Sequence, residues 1–145
     1  MNNGKRIENI IEKELNKIKN GYFIKSPTPI RITKDKKIIY AKKALCDFIG
    51  IYNQKFILIE IKTITKNFEF RRLKKHQLEQ LEIIDKLGGI SLIIFYLINE
   101  EKICYTNIND FREIIKNSKM KSISKENIIL KTINIEINNI TNIFN

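Results

Sequence analysis

Asp47, Glu60 and Lys62 are the residues whose types and spacing could do chemistry: two carboxylates on strand-forming stretches, and a lysine two positions beyond the second. Such a set suits hydrolysis of a phosphodiester. Carboxylate oxygens hold a hard divalent cation, and an ammonium faces the negative charge that builds on phosphate. In Phe56-Ile57-Leu58-Ile59-Glu60-Ile61-Lys62 the side chains alternate, so Glu60 and Lys62 share one face while Ile57, Ile59 and Ile61 take the other. One face carries chemistry and the other carries core.

The second carboxylate is placed by a hairpin. Leu45 to Tyr52 reads as a strand, and Asn53-Gln54 reads as a two-residue turn because Asn tolerates positive φ. Tyr52 then pairs with Lys55, and counting back sets Asp47 opposite Glu60 with roughly 5 Å between their β-carbons. Two carboxylates that close need a cation, and oxygen ligands with positions left for water suit Mg²⁺, with Mn²⁺ as a substitute, rather than Zn²⁺. A bare Glu-x-Lys is ordinarily a solvated pair on an edge strand. Here the strand is rich in Ile and Leu, and carboxylates without partners are expensive in a buried strand.

The remaining elements must position this pair. Ile7, Ile10, Ile11, Leu15 and Ile18 recur with helical period, so about Lys5 to Lys19 should form an amphipathic helix closed by Asn20-Gly21, with Glu8 at the border of its apolar stripe. Ser26-Pro27-Thr28-Pro29 breaks the chain before a short strand, Ile30 to Thr33. That strand returns through Lys34-Asp35-Lys36-Lys37 into Ile38-Ile39-Tyr40. A helix from Arg71 to Leu87 ends at Gly88-Gly89, with Leu73, Gln77, Leu81 and Ile84 on its apolar face. A glutamine in that company should find a polar partner on the face that carries Glu60. Ile90 to Ile98 is an unbroken apolar run, as expected of a strand covered on both sides. A turn at Asn99 to Lys102, a strand Ile103 to Thr106 and a helix Asn109 to Asn117 follow, and beyond Lys119 another short helix and strand. The fold class is α/β, a mixed central sheet flanked by helices, with a short basic hairpin over about 30–46, in a single domain over 1–145.

Composition narrows the partner. The chain has 145 residues, 43% of them hydrophobic, enough to bury a core without disulfides. A net charge of +11 and a pI near 9.7 favour a polyanion, nucleic acid above all, although Lys, Ile and Asn are abundant throughout as in AT-rich genomes. Lys34, Lys36, Lys37, Lys42 and Lys43, and also Arg71, Arg72, Lys74 and Lys75, are candidate phosphate contacts; a solvated charge run has the same composition. Cys46 and Cys104 fit neither a zinc site nor a disulfide framework and read as free thiols. No apolar run approaches the roughly 20 residues of a membrane span, so a cytoplasmic location at the nucleoid is expected. Gly50-Ile51-Tyr52 begins a GIY-YIG signature whose second half does not follow, and no Gly-Lys-Ser/Thr phosphate loop occurs.

Gly4-Lys5-Arg6-Ile7-Glu8, Pro27-Thr28-Pro29-Ile30, Asp47-Phe48-Ile49-Gly50-Ile51-Tyr52, Glu60-Ile61-Lys62 and His76-Gln77-Leu78-Glu79, in that order, resemble the RecU-type Holliday junction resolvases, a PD-(D/E)xK family. Lys121-Ser122-Ile123 also fits, and the archaeal Holliday junction resolvases share the Gly4 to Glu8 and Gln77 features. The resemblance implies a restriction-endonuclease-like homodimer cutting opposed strands of a four-way DNA junction, with recombination proteins as further partners. It implies that Asp47 and Glu60 bind Mg²⁺, that Glu8 positions the metal or its water, that Lys62 acts on water or phosphate, and that Gln77 supports the site. The segment from Pro29 to Asp47 matches the family's stalk but is shorter, which bears on junction selectivity. Cys46 stands where the motif name has proline. Two other readings fit the same residues: a nuclease of this fold acting on linear, flap or sequence-specific DNA, and a non-catalytic junction-binding or recombinase-regulating module.

Overall fold

The computed structural model describes residues 2–26, 30–40 and 45–144. Helix α1 (Asn3–Leu15) leads into strand β1 (Gly21–Lys25), and β2 (Ile30–Ile32) and β3 (Ile38–Tyr40) form a separate two-stranded hairpin. Then come β4 (Phe48–Tyr52), β5 (Lys55–Ile64), β6 (Asn67–Glu69), a 3₁₀ turn at Phe70–Arg72 and helix α2 (Lys75–Lys86). Strands β7 (Ile90–Leu97) and β8 (Lys102–Asn107), helix α3 (Ile108–Asn117), β9 (Ser122–Ser124), α4 (Lys125–Lys131), β10 (Ile133–Ile135) and a 3₁₀ segment at Ile137–Phe144 complete the chain.

Six strands make the central sheet in the order β1-β4-β5-β7-β8-β10, antiparallel except for the parallel pair β5–β7. Parallel neighbours need a crossover, and α2 supplies it. The alternation along β5 divides the interior in two. Ile57, Ile59 and Ile61 join Ile7, Ile11 and Leu15 of α1 and Ile140 of the last segment on one face. Leu58 joins Leu81 of α2, Ile93 and Phe95 of β7 and Phe111 of α3 on the other. β7 is buried along nearly its whole length, as its apolar run requires.

The β4–β5 turn is the expected one. Asn53 and Gln54 have φ of 46° and 67°, and Tyr52 pairs with Lys55. Gly50 is required in β4 because a β-carbon there would lie 2.5 Å from both the Phe23 ring and the Tyr22 carbonyl. The basic hairpin also forms, with Ile32 opposite Ile38 and Lys36 at φ 60° in the turn.

Four expectations are corrected. The first helix runs over Asn3–Leu15 rather than Lys5 to Lys19: the Asn2 side chain caps its start by accepting from the Lys5 N–H, and past its end the Lys17 and Ile18 N–H groups donate to carbonyls three residues back, at Glu14 and Leu15. The helix expected over Arg71 to Leu87 begins at Lys75, so Arg71 and Arg72 lie on a 3₁₀ turn and Leu73 precedes the helix. The strand expected from Leu45 begins at Phe48, which leaves Asp47 one residue beyond the ladder. β1 and β6 were not foreseen as strands; each is short, and neither shows more than one turn of alternation. Pro27 to Pro29 and Lys42 and Lys43 fall outside the described residues.

Candidate active site

The site forms where β4 and β5 part company beside the first turn of α2. Glu60 is placed by the β5 alternation on the α2 face and is 2% exposed. Its Oε1 accepts from Gln77 Nε2 at 2.8 Å and lies 2.8 Å from Lys62 Nζ. Its Oε2, also buried, has no N–H or O–H donor among the described residues. The buried Cys46 thiol is a weak hydrogen-bond donor to this carboxylate and works with Lys62 to hold its pKa down, so what Oε2 lacks is a nitrogen or hydroxyl donor. Burial, against the opposing attraction of Lys62, raises the pKa of Glu60.

Asp47 has left the ladder but not the site. Its Oδ2 accepts from the Ile61 backbone N–H at 2.7 Å, which pins the carboxylate against β5 next to Glu60. Burial and then the Glu60 charge raise its pKa to about 6. Register counting therefore found the right neighbour by a slightly wrong route: the carboxylate reaches across to β5 by a side-chain bond, not as a cross-strand pair.

Glu8 approaches from α1. Burial first and Asp47 second raise its pKa, so the two carboxylates feel each other. Lys25 of β1 faces this side of the site, with Nζ 2.9 Å from Asn9 Oδ1, 3.7 Å from Glu8 Oε2 and 3.8 Å from Glu12 Oε2. Among the described residues no three His, Cys, Asp or Glu side chains lie close enough to hold a metal ion, so Glu8 does not close a cage with Asp47 and Glu60. Such a cage is not what Mg²⁺ ordinarily uses. It takes one or two carboxylates and fills the remaining octahedral positions with water and substrate phosphate. A buried oxygen on Glu60 with no N–H or O–H donor among the described residues, beside a carboxylate that resists ionising, is a donor set that fits that ion.

Gln77 is the polar residue expected to reach this face. Its Oε1 accepts from the Lys74 backbone N–H at 3.0 Å and from Lys62 Nζ at 3.3 Å. His76 lies beside it, half-buried on α2. The candidate DNA contacts are dispersed. Lys34, Lys36 and Lys37 are exposed on the hairpin tip, whereas Arg71, Lys74 and Lys75 are exposed just before and at the start of α2, and half-buried Arg72 lies 5.2 Å from the Phe68 ring centroid. Lys25 was not singled out in the sequence. The signal was present, a lone lysine ending the run Gly21-Tyr22-Phe23-Ile24, but it becomes meaningful only once β1 is seen to pair with β4, where Ser26 N–H donates to the Asp47 carbonyl at 2.9 Å.

The chain is similar to several known proteins. The family described as Recombination protein U (RecU) matches residues 2–144. A Mycoplasmopsis pulmonis protein called Holliday junction resolvase RecU is 36% identical over 79% of this chain and 71% of its own length. Proteins of the same name from Pediococcus pentosaceus and Bacillus pumilus are 28% and 26% identical, over 69% and 82% of this chain and 59% and 68% of their own lengths. Among solved structures, Archaeoglobus fulgidus Hjc, a Holliday junction resolvase from an archaeal hyperthermophile, superposes with a TM-score of 0.57 over 95% of this chain and 99% of that one. At 16% identity it shows a shared fold. The match across nearly the whole sequence, the similarity to the Mycoplasmopsis protein and a sheet that sets Asp47 beside Glu60 lead to one conclusion: the chain belongs to the RecU family.

Proposed function

We propose that this protein is a divalent-metal-dependent endodeoxyribonuclease that resolves four-way DNA junctions. The observation that carries the reading is the Glu60 carboxylate, one oxygen held twice and the other buried with no N–H or O–H donor among the described residues, beside an Asp47 carboxylate reluctant to ionise. Asp47 and Glu60 would hold Mg²⁺, or Mn²⁺ in its place, and Glu8 would reach the site through water. When bound, the metal supplies a hydroxide-like nucleophile and neutralises charge on the phosphate. Lys62 keeps its ammonium at the Glu60 carboxylate and faces the same charge. Lys34, Lys36, Lys37, Lys42, Lys43, Arg71, Arg72, Lys74 and Lys75 would neutralise DNA phosphates.

Resolving a junction takes two cuts, and the described residues of one chain offer one site of this kind, so the functional unit is proposed to be a two-fold dimer. An uncovered apolar surface supports it. Tyr22, Ile51 and Phe56 form one cross-strand row on β1, β4 and β5, exposed by 75%, 55% and 40%, on the same sheet face as Glu60. The protein is expected to act in the cytoplasm at the nucleoid; no helix among the described residues is long and apolar enough to cross a membrane.

The test is cleavage of a labelled four-way junction and of a linear duplex of the same sequence, with Mg²⁺ or EDTA. Paired symmetric nicks in the junction alone support resolution. Equal cutting of both substrates indicates a general nuclease whose short hairpin does not select junctions, and binding without cutting indicates a non-catalytic module.

A further inference from the structure

Gln77 sits at a meeting of groups that fixes its orientation by chemistry alone. The Lys74 N–H and the Lys62 ammonium can only donate, and both point at Gln77 Oε1, at 3.0 and 3.3 Å. Once ionised, Glu60 can only accept, and its Oε1 takes Gln77 Nε2 at 2.8 Å. A flipped amide would set donor against donor on one side and acceptor against acceptor on the other. With Lys62 also 2.8 Å from the same Glu60 oxygen, Oε1 is fully engaged and only Oε2 is left for a ligand.

We infer that Gln77 is a positioning residue that restricts Glu60 to a single metal-binding oxygen, and so makes the site select a small octahedral cation, Mg²⁺ or Mn²⁺, over Ca²⁺. Calcium takes more oxygens and readily binds both oxygens of one carboxylate, whereas magnesium demands near-octahedral geometry and keeps its waters. A carboxylate with one oxygen committed to two hydrogen-bond donors disfavours the larger ion. The same amide accepts from the backbone of Lys74, at the head of α2, so the selecting geometry is anchored to the helix and not to a mobile side chain. Lys74 has no acceptor with which to cap the first N–H groups of α2, which makes the Gln77 oxygen the side-chain partner of this turn.

This inference rests on the metal-dependent reading above, and its test needs no DNA. Binding of Mn²⁺ to the metal-free protein is followed by the electron paramagnetic resonance of the free ion, and Ca²⁺ is then titrated as competitor. In the wild-type protein Mn²⁺ should bind and Ca²⁺ compete poorly. Gln77→Ala should weaken Mn²⁺ by roughly 10-fold, the scale of losses seen when a group supporting a metal ligand is removed, and leave Ca²⁺ unchanged or tighter. Lys62→Met, which removes the other donor to the same oxygen and leaves the Lys74 N–H bonded to Gln77, should narrow the Mn²⁺/Ca²⁺ ratio in the same direction. If Gln77→Ala lowers the thermal midpoint but keeps the wild-type ratio, Gln77 is a helix cap and the inference is overturned. A changed ratio in Gln77→Ala with none in Lys62→Met also overturns it, because Oε1 is then not the shared cause. A wild-type protein that binds no Mn²⁺ overturns both this inference and the functional reading, whereas failure of the Gln77→Ala prediction alone leaves that reading standing.

Discussion

The two faces of β5 are almost equally dry, yet they are built on opposite physics. On one, Ile57, Ile59 and Ile61 are between 0% and 7% exposed and are stabilised by packing against α1. On the other, Glu60 at 2% exposure and Lys62, whose side chain is 14% exposed, have lost water and recover part of the cost from each other and from Gln77. The recovery is incomplete, since Oε2 has no N–H or O–H donor among the described residues and the pKa values of Glu60 and Asp47 are raised. Burial alone therefore does not separate core from site. An unbalanced account does, because a fold selected only for stability has no use for a buried carboxylate left half-satisfied.

The contrast breaks most sharply at Glu60. Glu60→Gln keeps the shape and removes the charge, so cutting of a junction should fall by more than roughly 10³-fold, with junction binding in EDTA retained. The thermal midpoint of the metal-free variant should stay level or rise. Ile59→Ala, one residue away on the other face, should do the reverse. It should lose about 2–5 kcal/mol of stability, read by urea unfolding, while the fraction still folded cuts at near the wild-type rate. A Glu60→Gln protein that cuts normally, or an Ile59→Ala protein that is stable but inactive, would undo the division of labour between the faces.

How much of this was legible in the sequence follows the same division. The alternation in Phe56 to Lys62 assigned each side chain to its face, and Asn53-Gln54 fixed the register, because both are local properties of backbone geometry. The apolar run of β7 and its cover on both sides were equally plain. What escaped depended on partners distant in the chain. Asp47 was placed in a ladder, but it ends as an acceptor for the Ile61 N–H. β1 looked like a connection until β4 paired with it, and with β1 went Lys25 and its placement against Asn9, Glu8 and Glu12. The start of α2 was set too early because charge and apolar spacing continue through Arg71 to Lys74, and nothing in that run shows that Gln77 would supply the cap.

A second, smaller effect sharpens the comparison through pH. The Asp47 pKa, raised from 3.8 to about 6, means that the folded protein binds this proton more tightly than the unfolded chain. The metal-free fold therefore loses stability as pH rises from about 4 to 6, and Glu60 and Glu8, also raised, act in the same direction. In EDTA, Asp47→Asn should melt above the wild-type protein at pH 7, by a margin that shrinks toward zero near pH 4. Saturating Mg²⁺ should reverse the order at pH 7, because only the wild-type carboxylate gains a counter-charge. The half-saturating Mg²⁺ concentration of the wild-type protein should rise as pH falls below about 6. An unchanged midpoint difference across the range would place Asp47 outside the site's electrostatics.

The smallest effect expected comes from the hairpin, where charges are exposed and nothing is half-satisfied. Lys34, Lys36 and Lys37 are exposed, and a charge that meets a phosphate from such a position is screened by salt. Replacing any one by alanine should leave stability within about 0.5 kcal/mol and cutting at saturating junction almost untouched. It should lower the slope of log binding constant against log salt by roughly 0.9 for each phosphate that the variant no longer neutralises. Titrations of junction and linear duplex at several salt concentrations measure that slope for both substrates. A lower slope on both marks the hairpin as a general phosphate-binding element. A lower slope confined to the junction shows that even two strands of three residues reach into the branch, and the short hairpin then still distinguishes one DNA from the other.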